Sequence, residues 1–185
     1  DFSAPVDGSN PATDWQGLHT VAETITLLNP TSGWLQNCNS TPFTAAGAYS
    51  PDPADYPVYM APDPENFRAV HAVRLLEDVA DGSDKLSLDE LIALAYHPRL
   101  PAFEVLIPPL LATAQNNQAD TRLSAALQAL ANWDYTVTAN STAMTLAHFY
   151  GLPVNAWTGY PAGLSRKQRN EYFATEARPT ELDRK

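Results

Sequence analysis

Cysteine is almost absent: Cys38 is the single one in 185 residues. A lone thiol excludes an internal disulfide framework and any multi-cysteine zinc site, and it leaves the compartment open. Basic residues are scarce as well, 11 Lys and Arg against 21 Asp and Glu, for a formal net charge of −10. Nucleic acid and anionic membrane surfaces are recognised by clustered cations, so this charge balance argues against both as partners. No apolar run approaches the ~18 residues that a membrane span needs. The chain opens on Asp1, without an initiator Met and without the basic and apolar regions of a signal peptide. It is expected to be a processed product or a piece of something larger. Familiar catalytic signatures are missing too: there is no GxSxG, no HExxH, no Walker loop and no EF-hand. The four histidines, His19, His71, His97 and His148, are dispersed at no metal-ligand spacing, so no metal ligand is assigned.

What is present is a foldable composition. Hydrophobic residues make up 44% and charged residues 17%, below the roughly one quarter charged that is typical. This is enough for one good-sized domain or two small ones. The charge is unevenly spread. Residues 1–164 carry 5 basic and 17 acidic side chains, whereas 165–185 carry 6 basic and 4 acidic. That change coincides with a loss of apolar periodicity, so the end of the chain reads as a surface tail or linker.

Punctuation divides the rest. The first 65 residues are rich in proline and turn pairs, and read as loops with short strands. Residues 1–20 hold Asp-Gly and Asn-Pro turn chemistry. Two β-type runs follow, Val21–Leu28 and, after the turn TSG, Trp34–Asn39 (WLQNCN) with alternating polarity. Beyond residue 63 the period becomes helical. Asp63-Pro64 offers a cap followed by Pro at the first helical position, and an apolar stripe runs from Phe67 to about Val79. Ser87 and Glu90 form a capping box for a second helix ending near His97-Pro98. Pro101 opens a third, with a kink expected at Pro108-Pro109. Asp120 caps a fourth, and a fifth runs from about Ser141 to Tyr150, ended by Gly151 and Pro153. The expected organisation is therefore 1–62 as strands and loops, 63–153 as a helical region, and 154–185 as a polar tail. The fold class is α+β and mainly α-helical.

One stretch is chemically unusual: residues 29–42, NPTSGWLQNCNSTP. Asn37, Asn39 and Ser40 in a buried strand are costly unless their polar groups are paired or face a cavity. An Asn aimed into a site can donate a hydrogen bond to a developing oxyanion, which is worth several kcal/mol in acyl transfer. The same residues could equally tie down neighbouring loops. Cys38 suits a small buried thiol better than a nucleophile. The four tryptophans, Trp15, Trp34, Trp133 and Trp157, suit core and domain contacts.

This stretch resembles the NP-x-S-G-[YW]-x-x-N-x-N-x-x-P motif in the β chain of the penicillin acylase family of N-terminal nucleophile hydrolases. The preceding PVDGSNPATDWQGLH resembles the segment that leads into it. AAGAYSPDPADYPVYM, FRAVHAVRLLE, LSLDELIALAYHPRLPAFEVLIPPLL and NWDYTVTANSTAMTLAHFYG resemble the acyl-homoserine-lactone and aculeacin acylase branch. The likeness covers about 150 of the 185 residues. It implies short strands of the αββα hydrolase sheet followed by about five helices, within an internal β-chain segment. Asn39 matches the Asn that lines the oxyanion hole, and Arg68 matches the active-site Arg that orients it. Asn37, its strand neighbour, is expected to point the other way in the pleat and support structure.

The resemblance also implies a self-processed enzyme, periplasmic or secreted, acting on a small N-acyl compound. Its nucleophile is a Ser, Thr or Cys freed at the β-chain N-terminus, with its α-amine as base. Asp1 has no hydroxyl or thiol, so no nucleophile is assigned within this chain. Gly8-Ser9-Asn10 imitates the processing site, but only 20 residues separate Ser9 from Asn29, far less sheet than the family places there. The partners implied are the remaining α- and β-chain segments of the same precursor. Family members bind calcium, and Asp52, Asp55 and Asp63 are candidates by residue type alone, so no cofactor is assigned. A different reading remains open: a non-catalytic, α-rich binding or packing module.

Overall fold

The computed structural model describes residues 5–82, 85–116 and 120–155. Of the expected polar tail, 154–185, the first two positions belong to the last helix (Thr142–Asn155), and the rest, with Trp157, lies outside the described residues. The fold is mainly helical. Its α-helices are α1 (Phe67–Ala80), α2 (Leu88–Ala95), α3 (Pro101–Asn116), α4 (Ser124–Ala131) and α5 (Thr142–Asn155). Among the described residues, no helix is long and apolar enough to cross a membrane.

The two expected strands are not strands. Val21–Glu23 is a 3-10 turn, and residues 24–40 form no ladder. Burial nevertheless alternates along 34–40, with Trp34, Gln36, Cys38 and Ser40 half-buried and Leu35, Asn37 and Asn39 exposed. That alternation does not follow polarity, since Leu35 is turned out while Gln36 and Ser40 are turned in, and a strand also needs a partner backbone. The only bridge among the described residues is antiparallel, between Arg99 and Thr136. Here the Leu100 N–H donates to the Tyr135 carbonyl (2.8 Å) and the Val137 N–H to the Pro98 carbonyl (2.9 Å).

Proline explains the first sixty residues. Asn10-Pro11, Thr41-Pro42 and Asp52-Pro53 each open a 3-10 turn. In each, the polar side chain accepts the N–H two residues on, which the fixed φ of proline presents to it. Gly47 has φ +58, and a Cβ there would stand 2.7 Å from Glu77 Oε1 on α1 and 3.4 Å from the Trp34 ring. That glycine lets the loop lie directly on α1.

Helix ends differ from expectation in two places. The Asp63-Pro64 pair does not start α1, because the Pro64 carbonyl accepts the Thr41 N–H (3.2 Å). The cap is Asn66, whose side chain accepts from the Arg68 and Ala69 N–H groups. The fifth helix does not stop at Gly151 or Pro153 but continues to Asn155. Gly151 is a packing residue: a Cβ there would sit 3.4 Å from the Phe103 ring of α3. The Ser87–Glu90 capping box closes as the pattern requires, and α3 begins at Pro101 and runs unbroken through Pro108 and Pro109.

The main apolar cluster joins α3, α4 and α5. Ile107 is fully buried in it, with Leu130, Trp133, Ala143 and Ala147. The Trp133 indole N–H is satisfied by the Thr136 carbonyl at 3.0 Å, and its ring stands against Phe103 and Tyr135. α1 packs on α3, held at its rim by Glu104. That carboxylate takes Arg74 at 2.7 Å and Arg99 at 2.6 Å. Partial burial alone would raise the Glu104 pKa, but the two guanidinium hydrogen bonds and charges outweigh it and hold the carboxyl below its ordinary range.

Ile107→Ala should therefore destabilise the protein by about 3 kcal/mol, the lost transfer energy plus a cavity. Gln128→Ala on the exposed side of α4 should stay within about 0.5 kcal/mol. Urea unfolding midpoints measure both, and equal losses would contradict this placement of the core.

Candidate functional site

Asn39 and Arg68, 29 positions apart in the chain, meet at the start of α1. The Arg68 Nη2 donates to Asn39 Oδ1 at 3.2 Å and to the Cys38 carbonyl at 2.8 Å. Arg68 is the second residue of α1, so its backbone is fixed by the helix and its side chain reaches back over the 37–40 turn. A guanidinium has donors only, so the face of the Asn39 amide turned to it must be the carbonyl oxygen. The Nδ2 N–H groups then point away from Arg68, and they make no hydrogen bond among the described residues.

The turn that presents Asn39 is held at several points. Asn39 has φ +56, in the left-handed region that Asn tolerates better than other side chains. Its N–H is accepted by Asn37 Oδ1 at 2.9 Å. Asn37 thus supports the turn, but it does not point the other way: residues two apart share a face, and both are exposed. The Gln36 N–H donates to the Ala45 carbonyl at 2.9 Å. Asn66, which the pattern reading passed over, donates from Nδ2 to the Cys38 carbonyl (3.1 Å) and the Asn39 carbonyl (3.3 Å). Its position immediately before the apolar stripe at Phe67 is the signal that could have found it.

A cleft of about 410 Å³ opens beside Arg68, between α1 and α2. Leu75 and Leu76 form one wall and Leu91 and Leu94 the other, with His71, His97 and the half-buried Cys38 at its polar edge. His71 Nε2 and His97 Nδ1 are 3.2 Å apart. The Arg99 N–H also faces His97 Nδ1 (3.4 Å), which favours the tautomer in which that atom accepts and His71 Nε2 donates. Burial, followed by the positive charge available at His97, Arg74 and Arg99, holds the His71 pKa below its ordinary 6.5.

The other sequence candidates stand apart from this geometry. Ser9 Oγ donates to Asp7 Oδ1 at 2.6 Å in an exposed turn, and its nitrogen is a peptide amide rather than a free amine. Asp52 Oδ1 is engaged by the Ala54 N–H at 2.8 Å, and Asp55 and Asp63 are exposed. Among the described residues no three His, Cys, Asp or Glu side chains gather so as to hold a metal ion. Asp52, Asp55 and Asp63 thus form no shared carboxylate cluster among the described residues.

Arg68, Asn39 and the apolar cleft beside them lie in the domain of an amide hydrolase. The chain belongs to the penicillin amidase family, whose model matches residues 1–168.

His71 yields a pH dependence. A folded-state pKa below 6.5 means the unfolded chain takes up the proton first as pH falls. His71's contribution is thus fully present above 6.5 and is lost as pH drops through 6.5 to its lower folded value. Urea midpoints at about pH 7.5 and about pH 5.5 should differ more in the wild type than in His71→Gln. An equal difference in both would contradict the assignment.

Proposed function

We propose that this chain is an internal β-chain segment of a penicillin-acylase-like amidohydrolase, supplying the oxyanion-hole Asn and its supporting Arg. A nucleophile from sequence beyond these 185 residues, freed as an N-terminal residue by self-processing, adds its oxygen to the carbonyl carbon of an N-acyl amide. Its proton passes to its own α-amine. Asn39 Nδ2 donates to the oxygen that becomes negative, the C–N bond breaks, and the amine leaves with the proton. Water then hydrolyses the acyl-enzyme. Arg68 holds Asn39 Oδ1 and so keeps Nδ2 turned toward the reacting carbonyl.

The observation that carries this reading is the hydrogen bond from Arg68 Nη2 to Asn39 Oδ1. It joins the two residues that the family motifs single out, and it leaves the amide's donors available. The substrate class inferred is an N-acyl compound: a lactam side chain, an acyl-homoserine lactone or a lipopeptide. The long-chain branch rests on the resemblance of FRAVHAVRLLE and LSLDELIALAYHPRLP. The remaining α- and β-chain segments are the proposed partners. Trp15, Leu18, Val21, Leu28 and Val58 support this, since these large apolar side chains stand 81 to 88% exposed. A periplasmic or secreted location belongs to the same reading and rests on the family resemblance and the acidic body.

The test is Asn39→Gly in the intact, processed enzyme. Glycine accepts φ +56 without strain, so the variant removes the amide and leaves the turn. The kcat should fall by about 10²–10³-fold, with folding unchanged. Unchanged kcat would overturn the oxyanion assignment. The 185-residue chain alone should be inactive, and robust hydrolysis by it, abolished by Ser9→Ala, would overturn the external nucleophile.

A further inference from the structure

We propose that Asn66 is a positioning residue for hydrolysis, one amide that sets Arg68 and Asn39 in register. This rests on the reading of Asn39 and Arg68 given above. Asn66 Oδ1 accepts from the Arg68 N–H and the Ala69 N–H, both at 3.1 Å. Its Nδ2 donates to the Cys38 carbonyl at 3.1 Å and the Asn39 carbonyl at 3.3 Å. Each bonding position of the side chain, two acceptor and two donor, is therefore occupied. The acceptor side fixes the first turn of α1, which carries the Arg68 backbone. The donor side fixes the two carbonyls that flank the left-handed Asn39. The guanidinium and the amide reach each other from segments joined by this group.

The residue type is decisive. Ser, Asp and Asn cap helices about equally well, so capping alone does not require an amide. Asp has no donor to offer the two carbonyls, and a Ser hydroxyl has a single one. Asn alone among the good caps both accepts twice from the helix and donates twice to the turn. Arg68 Nη2 also holds the Cys38 carbonyl at 2.8 Å, so the turn survives loss of Asn66, but with Asn39 held by fewer bonds. A shift of about an ångström in a positioned group can cost about a hundredfold in rate.

The distinguishing variant is Asn66→Ser in the intact, processed enzyme, assayed on N-acyl p-nitroanilides of graded acyl length. Serine keeps the cap, so Tm should stay within about 2 °C. It shortens the reach to the turn, so kcat should fall by about tenfold to a hundredfold while KM stays within about twofold. A wild-type kcat in Asn66→Ser overturns the inference. So does a loss that vanishes once rates are corrected for the folded fraction, since that marks a purely structural cap. Asn39→Gly run in parallel separates the two claims. If Asn39→Gly stays active, the site reading fails with this one; if Asn39→Gly is inactive and Asn66→Ser is active, only the role of Asn66 fails.

Discussion

The geometry depends on how the first turn of a helix grips a loop that forms no ladder among the described residues. A free helix N-terminus leaves backbone N–H groups unsatisfied, and a loop in the left-handed region leaves carbonyls facing outward. Here the two needs meet. Asn66 spans from the Arg68 and Ala69 N–H groups to the Cys38 and Asn39 carbonyls, and Arg68 adds a charged hydrogen bond to the Cys38 carbonyl. Charge-assisted bonds of this kind are roughly twice as strong as neutral ones. Without that junction, residues 37–40 would be positioned only by the Asn37 turn and by distant backbone contacts.

Behind the junction lies a support of a different character. α1 is not part of the best-buried cluster, which Ile107, Leu130 and Trp133 build between α3, α4 and α5. It is anchored through its packing on α3 and the Arg74–Glu104–Arg99 group, and through the close approach of Gly47 to Glu77. The partly exposed ion pairs add modestly to stability, but they fix the lateral position of the helix that carries Arg68. The path from core to site is thus short: buried cluster, α3, α1, Asn66, the 37–40 turn.

Much of this was legible in the residues. The Ser87–Glu90 box and the Pro101 start are local chemistry, and the structure closes both as written. Asn66 was obscured by Asp63-Pro64, which carries the same cap signature three residues upstream. The contest is settled by a long-range bond from Thr41 to the Pro64 carbonyl, which no local pattern contains. Gly151 reads as a stop signal, yet it serves the approach of α5 to Phe103. The WLQNCN polarity pattern does not predict which side chains turn inward, since Leu35 is exposed and Gln36 half-buried, and a strand needs a neighbouring backbone. The Asn39–Arg68 pair was reachable only through family resemblance, because nothing local links residues so far apart in sequence.

The central claim is that Asn39 offers its amide N–H to the reacting oxygen. The most direct measurement is a crystal structure of the intact, processed enzyme carrying a covalent phosphonate mimic of the tetrahedral intermediate. The account predicts Asn39 Nδ2 at about 2.7–3.1 Å from the oxyanion-like oxygen, with Arg68 still on Oδ1. An oxyanion held by other donors, with the Asn39 amide turned away from it, would contradict the account.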